Sequence, residues 1–369
     1  MIVTQEVIQT LVPINALTDN HLLTLLRDVD SEIICAGQTI FDKKNTQHQH
    51  MYLLSGTALL SNEKGVDVEV SAQQMEARYS LCHISSIYES AVAITDSVIV
   101  CFDSEQLDAM LAWDQAANYI LLDVASQRDL DEDADWMMTL LKSNLFYKVP
   151  PMNIRKIIDR FEPVYVEAGD TILRQGEEGD SCYFIKEGTI EVFQSADERS
   201  SPEKVAELVA GQCFGEDALI NQERRNATIK MKTHGVLMQL IKKDFLLLLK
   251  SDQVNGVFYN ELESAPDKQW LDVRSQDEYE RGHYQGALHM PLDLLKLKSR
   301  LLNVEQEYVI YCNSGRRSEA ATCFLAAEGY KVSWLRGGMS VTDSKQSSLL
   351  SVSSVDDLET DQALPKRIA

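Results

Sequence analysis

Two short stretches of the chain hold residue types that can do chemistry. In the first, "FGEDALINQERRNATI" (214–229), Glu216 lies nine residues before Arg225, directly after a Phe-Gly pair. A planar guanidinium is a strong partner for a phosphodiester, and consecutive backbone N–H groups form a nest for an anion. A carboxylate facing a hydroxyl would select a sugar. The alternative for this pair alone is a surface ion pair on a loop, with Arg224 as a second candidate cation.

The second stretch, "CNSGRRS" (312–318), follows the apolar run "VIY" and leads into a helical pattern. Open α/β sheets bind their ligands at the carboxyl ends of parallel strands, which is where this pattern puts Cys312. The following helix N-terminus, the loop amides and two arginines, Arg316 and Arg317, all favour a thiolate. The stretch therefore predicts a reactive cysteine, and the alternative is a buried structural one.

The first stretch belongs to an internal repeat. "AGQTIF" at 36 matches "AGDTIL" at 168, and "MYLLSGTALL" at 51 matches "YFIKEGTIEV" at 183, both at an offset of 132. Further on, "VIVCFDSEQLDAML" at 98 matches "VLMQLIKKDFLLLL" at 236 at an offset of 138, so the second copy has gained six residues. Short alternating strands with glycine turns predict a small β-barrel or jelly roll flanked by helices in each copy.

Residues 141–252 resemble a cyclic nucleotide-binding domain, as in the catabolite activator family and the regulatory subunits of cyclic AMP-dependent kinase. The resemblance lies in Phe-Gly-Glu-x-Ala-Leu, an arginine nine residues after the glutamate, and then x-Ala-Thr-Ile. It implies that Glu216 accepts the ribose 2′-hydroxyl, that Arg225 pairs with the cyclic phosphate of cyclic AMP or cyclic GMP, and that the amides of 215–219 cap that phosphate. The other positions of the motif are Phe214, Gly215, Ala218, Leu219, Asn226 and Ala227.

The first copy departs from this motif. Its corresponding stretch, "EARYSLCHISSIYESAVAI" (76–94), has no Phe-Gly-Glu, no glycine and no arginine after Arg78. Residues 1–140 also contain six lysines and arginines against 22 aspartates and glutamates, a net charge of −16. An anionic nucleotide is therefore not expected there, and the first copy is predicted to serve as a scaffold or a dimerisation surface, with a homodimer as one possible assembly.

From residue 256 onward, strands alternate with helices, which predicts a parallel sheet covered on both faces. This segment resembles a single rhodanese domain through "WLDVRSQDEYERGHYQGALHMP" (270–291) and "YCNSGRRSEAATCFLAAEGY" (311–330). Phosphatases of related architecture use Cys-x5-Arg. Here Ser318 occupies the sixth position after the cysteine and Arg317 comes one residue early, which disfavours phosphate ester hydrolysis.

The rhodanese resemblance implies a sulfurtransferase. In it, Cys312 takes a sulfane sulfur from an anionic donor such as thiosulfate, carries it as a persulfide, and passes it to a thiol acceptor. Arg316 or Arg317 would attract the donor. The resemblance also implies that two residues below the persulfide, Asp272 and Arg274, brace the site. The loop whose amides would surround the persulfide consists of Asn313, Ser314, Gly315 and Ser318 together with the two arginines.

Composition limits the other functions. The net charge of −22 disfavours DNA, because affinity for phosphate backbones comes from clustered Lys and Arg. No run of about 20 uncharged apolar residues and no signal peptide is present, which predicts a cytoplasmic protein without a membrane anchor. Seven cysteines without a CxxC pair predict neither disulfides nor structural zinc, and His48 and His50 lack a third metal partner.

The sequence thus predicts a degenerate cyclic nucleotide-binding fold at 1–126, an acidic connector at 127–140, a ligand-competent fold at 141–252, a rhodanese domain at 256–345 and a disordered tail at 346–369. Only "QVNG" separates the last helical pattern of the second fold from the third segment. We expect cyclic nucleotide binding to modulate persulfide transfer at Cys312. The alternative is a non-catalytic sensor whose inactive rhodanese module holds a partner.

Overall fold

The structure is a computed structural model. It describes residues 4–27, 29, 31–42, 49–62, 67–82, 88–126, 134–141, 150–195, 200–220, 223–249, 254–262, 268–341 and 350–351. The chain divides into two compact units, one made of Met1–Ala112 with Val254–Ala369 and the other of Trp113–Gln253.

The first module, residues 4–112, consists of two antiparallel sheets preceded by short helices. Its helices are α1 (Gln5–Ile8), α2 (Asp19–Arg27) and the first part of α3 (Ser104–Ser126), with single 3-10 turns at Ile14–Ala16 and Met75–Arg78. Its strands are β1 (Ser31–Ile34), β2 (Thr39–Asp42), β3 (Gln49–Ser55), β4 (Thr57–Asn62), β5 (Asp67–Ser71), β6 (Tyr88–Ala93) and β7 (Ser97–Asp103). The strand orders are β1-β7-β3 and β2-β6-β4-β5.

The second module, in the second unit, also contains two antiparallel sheets. Its helices are α4 (Ala134–Leu141), α5 (Ile154–Ile158), α6 (Glu216–Ile220) and α7 (Lys242–Leu248), with a 3-10 turn at Pro151–Asn153. Its strands are β8 (Glu162–Val166), β9 (Thr171–Leu173), β10 (Ser181–Glu187), β11 (Thr189–Gln194), β12 (Glu203–Val209), β13 (Cys213–Phe214), β14 (Thr228–Met231) and β15 (Gly235–Ile241). The strand orders are β13-β10-β15-β8 and β12-β11-β14-β9.

Alternation along the strands explains why each pair of sheets packs face to face. In β14 the burial pattern alternates, so that Ile229 and Met231 are buried while Lys230 is exposed. The core of the second module takes residues from both of its sheets, including Ile185 and Leu237 from one and Ile190 and Ile229 from the other. Fully burying each such side chain contributes about 1.5–3 kcal/mol. The result is a β-sandwich.

The internal repeat has a counterpart in the strand orders. Apart from β13, the two modules have the same order, with β1, β2, β3, β4, β5, β6 and β7 in the places of β8, β9, β10, β11, β12, β14 and β15. Glycines with left-handed backbone also recur 132 residues apart, as Gly37 and Gly169 and as Gly56 and Gly188. The extra strand and helix α6 of the second module precede β14, in the region where the sequence gains its six residues.

The third module, residues 254–341 with 350–351, is an α/β fold. Its helices are α8 (Tyr259–Leu262), α9 (Gln276–Arg281), α10 (Leu295–Lys298) and α11 (Arg316–Ala327), with 3-10 turns at Leu292–Leu294, Ser299–Leu301 and Gly338–Val341. Its strands are β16 (Gly256–Val257), β17 (Gln269–Asp272), β18 (His283–Tyr284), β19 (Leu288–His289), β20 (Glu307–Tyr311), β21 (Lys331–Leu335) and β22 (Leu350–Ser351). Five strands form one parallel sheet in the order β16-β21-β20-β17-β19.

The strand β20 is central and almost wholly buried, so the predicted parallel sheet with a buried "VIY" run is confirmed. The acidic segment predicted as a connector runs into helix α4, whose sequence "ADWMMTLL" is rich in apolar residues, and Leu140 and Leu141 are buried. One other prediction needs correction where the structure describes it. The tail, predicted to be disordered, contributes β22, which pairs antiparallel with β18, and residues 352–369 lie outside the described part of the chain.

Candidate functional site

The first candidate site follows strand β13, where the chain turns into helix α6. Gly215 makes this turn with a left-handed φ of +88°. A Cβ at this position would lie 3.0 Å from Arg225 Nη1, so the close approach of the backbone to the guanidinium requires glycine. The Phe-Gly pair of the sequence motif therefore brings the Gly215 carbonyl next to the arginine.

Arg225 points inward and is only 4% exposed. Its Nη1 donates to the Gly215 carbonyl oxygen at 2.7 Å, and its Nη2 donates to the Ser181 carbonyl oxygen at 2.6 Å and to Asp180 Oδ1 at 3.0 Å. Arg224 is exposed and donates to the Gly176 carbonyl oxygen. Of the two neighbouring arginines, Arg225 is thus the one directed into the loop.

Glu216 begins helix α6, and its Oε2 is buried without a hydrogen-bond partner. Burial raises the pKa of this carboxyl, an effect that a hydrogen bond from its own backbone amide and the charge of Arg225 partly offset. Leaving a buried acceptor unpaired costs about 1–3 kcal/mol. An oxygen of this kind is available to a ligand hydroxyl.

The remaining motif residues are buried, apart from Asn226, which is exposed. Phe214 stacks on Tyr183 with ring centroids 5.2 Å apart. The buried side chains are Phe214, Ala218, Leu219 and Ala227. In the first module, residues 83–87 of the corresponding stretch lie outside the described residues, and Arg78 Nε donates to the Thr10 carbonyl oxygen at 2.8 Å.

The second candidate site lies at the carboxyl end of β20. Cys312 is fully buried, and its Sγ accepts a hydrogen bond from the Gly315 amide at 3.1 Å, with Ser318 Oγ 3.6 Å away. Gly315 has a left-handed φ of +101° and caps helix α11, and a Cβ there would lie 2.8 Å from the Trp334 ring. The sulfur therefore sits in a loop whose backbone curls around it at the start of a helix.

The bracing pair below the loop is buried in the sheet. Arg274 bonds both carboxylate oxygens of Asp272, with Nη2 2.7 Å from Oδ2, and its Nη1 donates to Asn313 Oδ1 at 3.2 Å. Asn313 Nδ2 in turn donates to Glu278 Oε1 at 2.7 Å. A chain of hydrogen bonds thus runs from the end of β17 to the residue after the cysteine.

Arg317 does not face solvent as a residue that attracts a donor would. It is fully buried and makes a bidentate pair with Glu278, Nη1 to Oε2 at 2.7 Å and Nη2 to Oε1 at 2.8 Å. Burial alone would raise the pKa of Glu278, but the charge and hydrogen bonds of Arg317 hold it well below its ordinary value. Arg317 therefore fixes the loop, and Arg316 is the exposed arginine of this loop.

Sequence reasoning missed Glu278. It lies in "SQDEYERG", where Ser275 and Glu278 form a capping box at the start of helix α9. The Ser-x-x-Glu spacing is a readable helix-start signal. It does not reveal that the same carboxylate also reaches Asn313 and Arg317, which are more than 30 residues away in the chain.

The histidines noted as metal candidates have different outcomes. His48 lies outside the described residues, whereas His50 is in β3 and only 2% exposed. Burial lowers its pKa. Among the described residues, no group of three or more His, Cys, Asp or Glu side chains could hold a metal ion.

Comparison with known families identifies two domains. The model of the cyclic nucleotide-binding domain matches residues 163–252, and that of the rhodanese-like domain matches residues 256–344. The chain therefore contains a cyclic nucleotide-binding domain followed by a rhodanese-like α/β domain, as the sequence motifs predicted. No helix in the described part of the chain is both long and apolar enough to span a bilayer.

Two relatives each align with part of the chain. The cGMP-dependent protein kinase 2 of Mus musculus is 32% identical over 112 residues, 30% of this chain and 15% of the kinase. The putative sulfur carrier protein YrkF of Bacillus subtilis is 38% identical over 74 residues, 20% of this chain and 40% of YrkF. The chain thus spans well under half the length of either relative.

Among solved structures, the regulatory domain of Toxoplasma gondii PKA with cAMP aligns with 67% of this chain and 91% of its own, at 19% identity. Its TM-score is 0.30, at which the similarity decides neither the number of such folds nor the function.

Proposed function

We propose that this protein is a cyclic nucleotide-responsive sulfurtransferase, in which a nucleotide bound by the second module modulates persulfide transfer at Cys312. One observation carries the proposal: a single chain holds a sulfur cradled by a loop amide and, elsewhere, an unpartnered buried carboxylate oxygen beside an inward-facing arginine. The first arrangement suits sulfur chemistry and the second suits a sugar phosphate.

At the nucleotide site, Arg225 and the amides of residues 215–219 bind the cyclic phosphate, and Glu216 accepts the ribose 2′-hydroxyl. The Asp180 carboxylate now 3.0 Å from Arg225 Nη2 is exposed, so the phosphate can replace it as the partner of the guanidinium. Cyclic AMP and cyclic GMP share these groups. The exposed Asn226 follows the arginine and is available to the rest of the ligand.

Sulfur transfer proceeds in two displacements. The Cys312 thiolate attacks the outer sulfur of thiosulfate, a new S–S bond forms, and sulfite leaves with the electron pair of the old one. An acceptor thiolate then attacks the outer sulfur of the Cys312 persulfide, and the cysteine leaves as a thiolate. The amides of 313–318 stabilise the negative charge on the terminal sulfur through hydrogen bonds.

The proposed domain boundaries are 1–126, 141–252 and 256–345, with the first taken as a degenerate cyclic nucleotide-binding fold. The shared strand order and the recurring glycines support that assignment. The chain passes between the two compact units inside helix α3 and again after helix α7. We propose that nucleotide binding acts on the rhodanese-like module through these connections. We also propose that the protein is cytoplasmic, binds no DNA and requires no metal.

A second candidate function is a non-catalytic sensor whose rhodanese-like module binds a partner. The observation that favours it is the complete burial of Cys312, which leaves no exposed sulfur for a donor. A Cys312→Ser variant that retains cellular function would support this alternative.

The test is thiosulfate:thiol sulfurtransferase turnover of the full chain with and without saturating cyclic AMP or cyclic GMP. Coupling free energies of 1–3 kcal/mol are typical, so we expect the rate to change by about fivefold or more. Cys312→Ser should abolish turnover. Equal rates with and without either nucleotide would leave two independent modules, and no turnover in any condition would leave the sensor function.

A further inference from the structure

The persulfide loop is in contact with the first module. Both belong to the same compact unit, and Asp108 of helix α3 approaches the loop with its Oδ1 3.7 Å from Arg317 Nη2. Other contacts join the same two modules: Asn15 Nδ2 donates to Asp277 Oδ2 at 2.9 Å, and the Arg281 guanidinium lies 5.0 Å from the centre of the Tyr79 ring. The loop face of the third module is therefore packed against the first.

Asp108 places a second carboxylate near Arg317, whose charge Glu278 already neutralises. Arg317 makes two short hydrogen bonds with Glu278, so one guanidinium lies among two carboxylates. Burial lowers the pKa of His50 in the first module and favours its neutral form. Two carboxylates thus face the single guanidinium of Arg317, while the exposed Arg316 lies in the same loop.

The polar groups at this contact are not matched to one another. Asp108 Oδ1, Ser314 Oγ and Arg317 Nε are all buried without a hydrogen-bond partner. Burial raises the pKa of the Asp108 carboxyl, while Arg317, His50 and the Ser314 hydroxyl act in the opposite direction. Ser314 is therefore near enough to influence this carboxyl.

A buried carboxylate with such poor pairing is a weak stabiliser. Removing a charge from water costs several kcal/mol, which only good geometry repays, and an apolar residue of similar size is often neutral or stabilising in its place. Stabilisation of the contact between the two modules is thus a poor explanation for an aspartate at position 108. Its position beside Ser314 and Arg317 points to an effect on what reaches Cys312.

We propose that Asp108 of the first module is a specificity-determining residue for the sulfur donor. Its charge disfavours dianionic donors such as thiosulfate and favours donors whose sulfane sulfur is carried on a less negative thiol compound or protein. This inference deepens the proposed function and rests on Cys312 being the reacting thiol. It implies a high KM for thiosulfate in the intact chain.

The experiment compares alkylation of Cys312 by iodoacetate, an anion, and by iodoacetamide, which is neutral and of similar size. Rates are read by peptide mass spectrometry at mildly alkaline pH, with the exposed Cys35 as an internal reference. In Asp108→Asn, the iodoacetate rate should rise relative to the iodoacetamide rate by about fivefold, because one charge is removed near the reacting sulfur. Glu105→Gln, on the exposed side of the same helix, should leave the ratio unchanged.

Three outcomes would overturn the proposal. An unchanged ratio would mean that the Asp108 charge does not act at the loop. An equal rise for both reagents would mean that Asp108 only covers the site. Failure of both reagents to label Cys312 in every variant would mean that no small donor reaches the sulfur.

Two further measurements separate this proposal from others. If Asp108→Asn lowers the melting temperature strongly, Asp108→Ser provides a second uncharged variant. The variant should also lower the KM for thiosulfate with little change in kcat, which a purely structural role would not produce. If no form of the protein transfers sulfur, the proposed function fails, while the alkylation ratio still decides the role of Asp108.

Discussion

The first and second modules share a strand order but differ where one of them has a candidate ligand site. In the second, β13 and helix α6 precede β14 and carry the loop around Arg225. In the first, no strand or helix other than the 3-10 turn at Met75–Arg78 is described between β5 and β6. Its helix α3 instead brings Asp108 to the persulfide loop.

This difference distinguishes the residues that a β-sandwich requires from those that a phosphate-binding site requires. The sheets require alternating apolar residues and a few left-handed turns, and both modules have them. A phosphate site additionally requires a guanidinium and a glycine at fixed spacing, which only the second sequence carries. The sheets of the first module therefore form without the residues of the phosphate motif.

The largest effect is expected at the nucleotide site. Arg225→Ala should weaken cyclic AMP binding by about a hundredfold or more, because a charge-assisted phosphate contact is lost. Arg224→Ala, at the neighbouring exposed arginine, should change affinity by less than about threefold. Calorimetric titration gives both values and should yield one nucleotide per chain.

Two nucleotides bound per chain would show that the first module also binds nucleotide. The contrast between the first and second modules would then not hold. Because Arg225 also bonds two backbone carbonyls, Arg225→Lys provides a variant that keeps the charge and loses the planar fork. Wild-type affinity in Arg225→Lys and Arg225→Ala alike would contradict the assigned site.

The recurring glycines offer a matched test of the repeat. A Cβ at Gly56 would lie 2.7 Å from the Asp96 carbonyl oxygen, and one at Gly188 would lie 2.9 Å from the His234 carbonyl oxygen. Because both positions also have positive φ, alanine should cost about 2–3 kcal/mol of unfolding free energy at each. Denaturant unfolding measures both changes.

The controls are Gly37→Ala and Gly169→Ala, which have positive φ but no heavy atom within 4 Å of the added Cβ. These should cost about 1 kcal/mol each, from backbone strain alone. Substitutions that are costly in one module and harmless in the other would argue against equivalent turns.

The smallest effect concerns His50, which lies 132 residues before the buried Cys182 of the second module. Burial lowers the pKa of His50 below its ordinary 6.5, with Asp108, Glu278 and Asp103 opposing this and Arg317 adding to it. The unfolded chain then binds the proton more tightly than the folded one. Stability is fully present above pH 6.5 and declines as the pH falls below it.

We expect His50→Gln to reduce the slope of unfolding free energy against pH below 6.5, by about 1 kcal/mol per pH unit. Denaturant unfolding across this pH range measures the slope. The control is His234→Gln, at an exposed turn of the second module, which should keep the wild-type slope. A His50→Gln slope equal to wild type would show that other groups set the acid sensitivity.

Much of the fold was predictable because its signals are local. Alternation, glycine spacing and the buried "VIY" run predicted sheets in all three modules, and the motif around Gly215 distinguished the two related ones. The motif left open whether Arg316 or Arg317 faces a donor, because the carboxylate that pairs with the buried Arg317 lies 39 residues earlier in the chain.

The sequence by itself determined which residues can do chemistry and on which elements they lie, because motifs and periodicities are properties of neighbouring residues. Only the tertiary structure decided how their charges combine. Glu278 neutralises Arg317, Asp108 of another module lies 3.7 Å from the same guanidinium, and Glu216 keeps an unpartnered oxygen. Electrostatic interactions depend on distance and burial, which chain spacing does not specify.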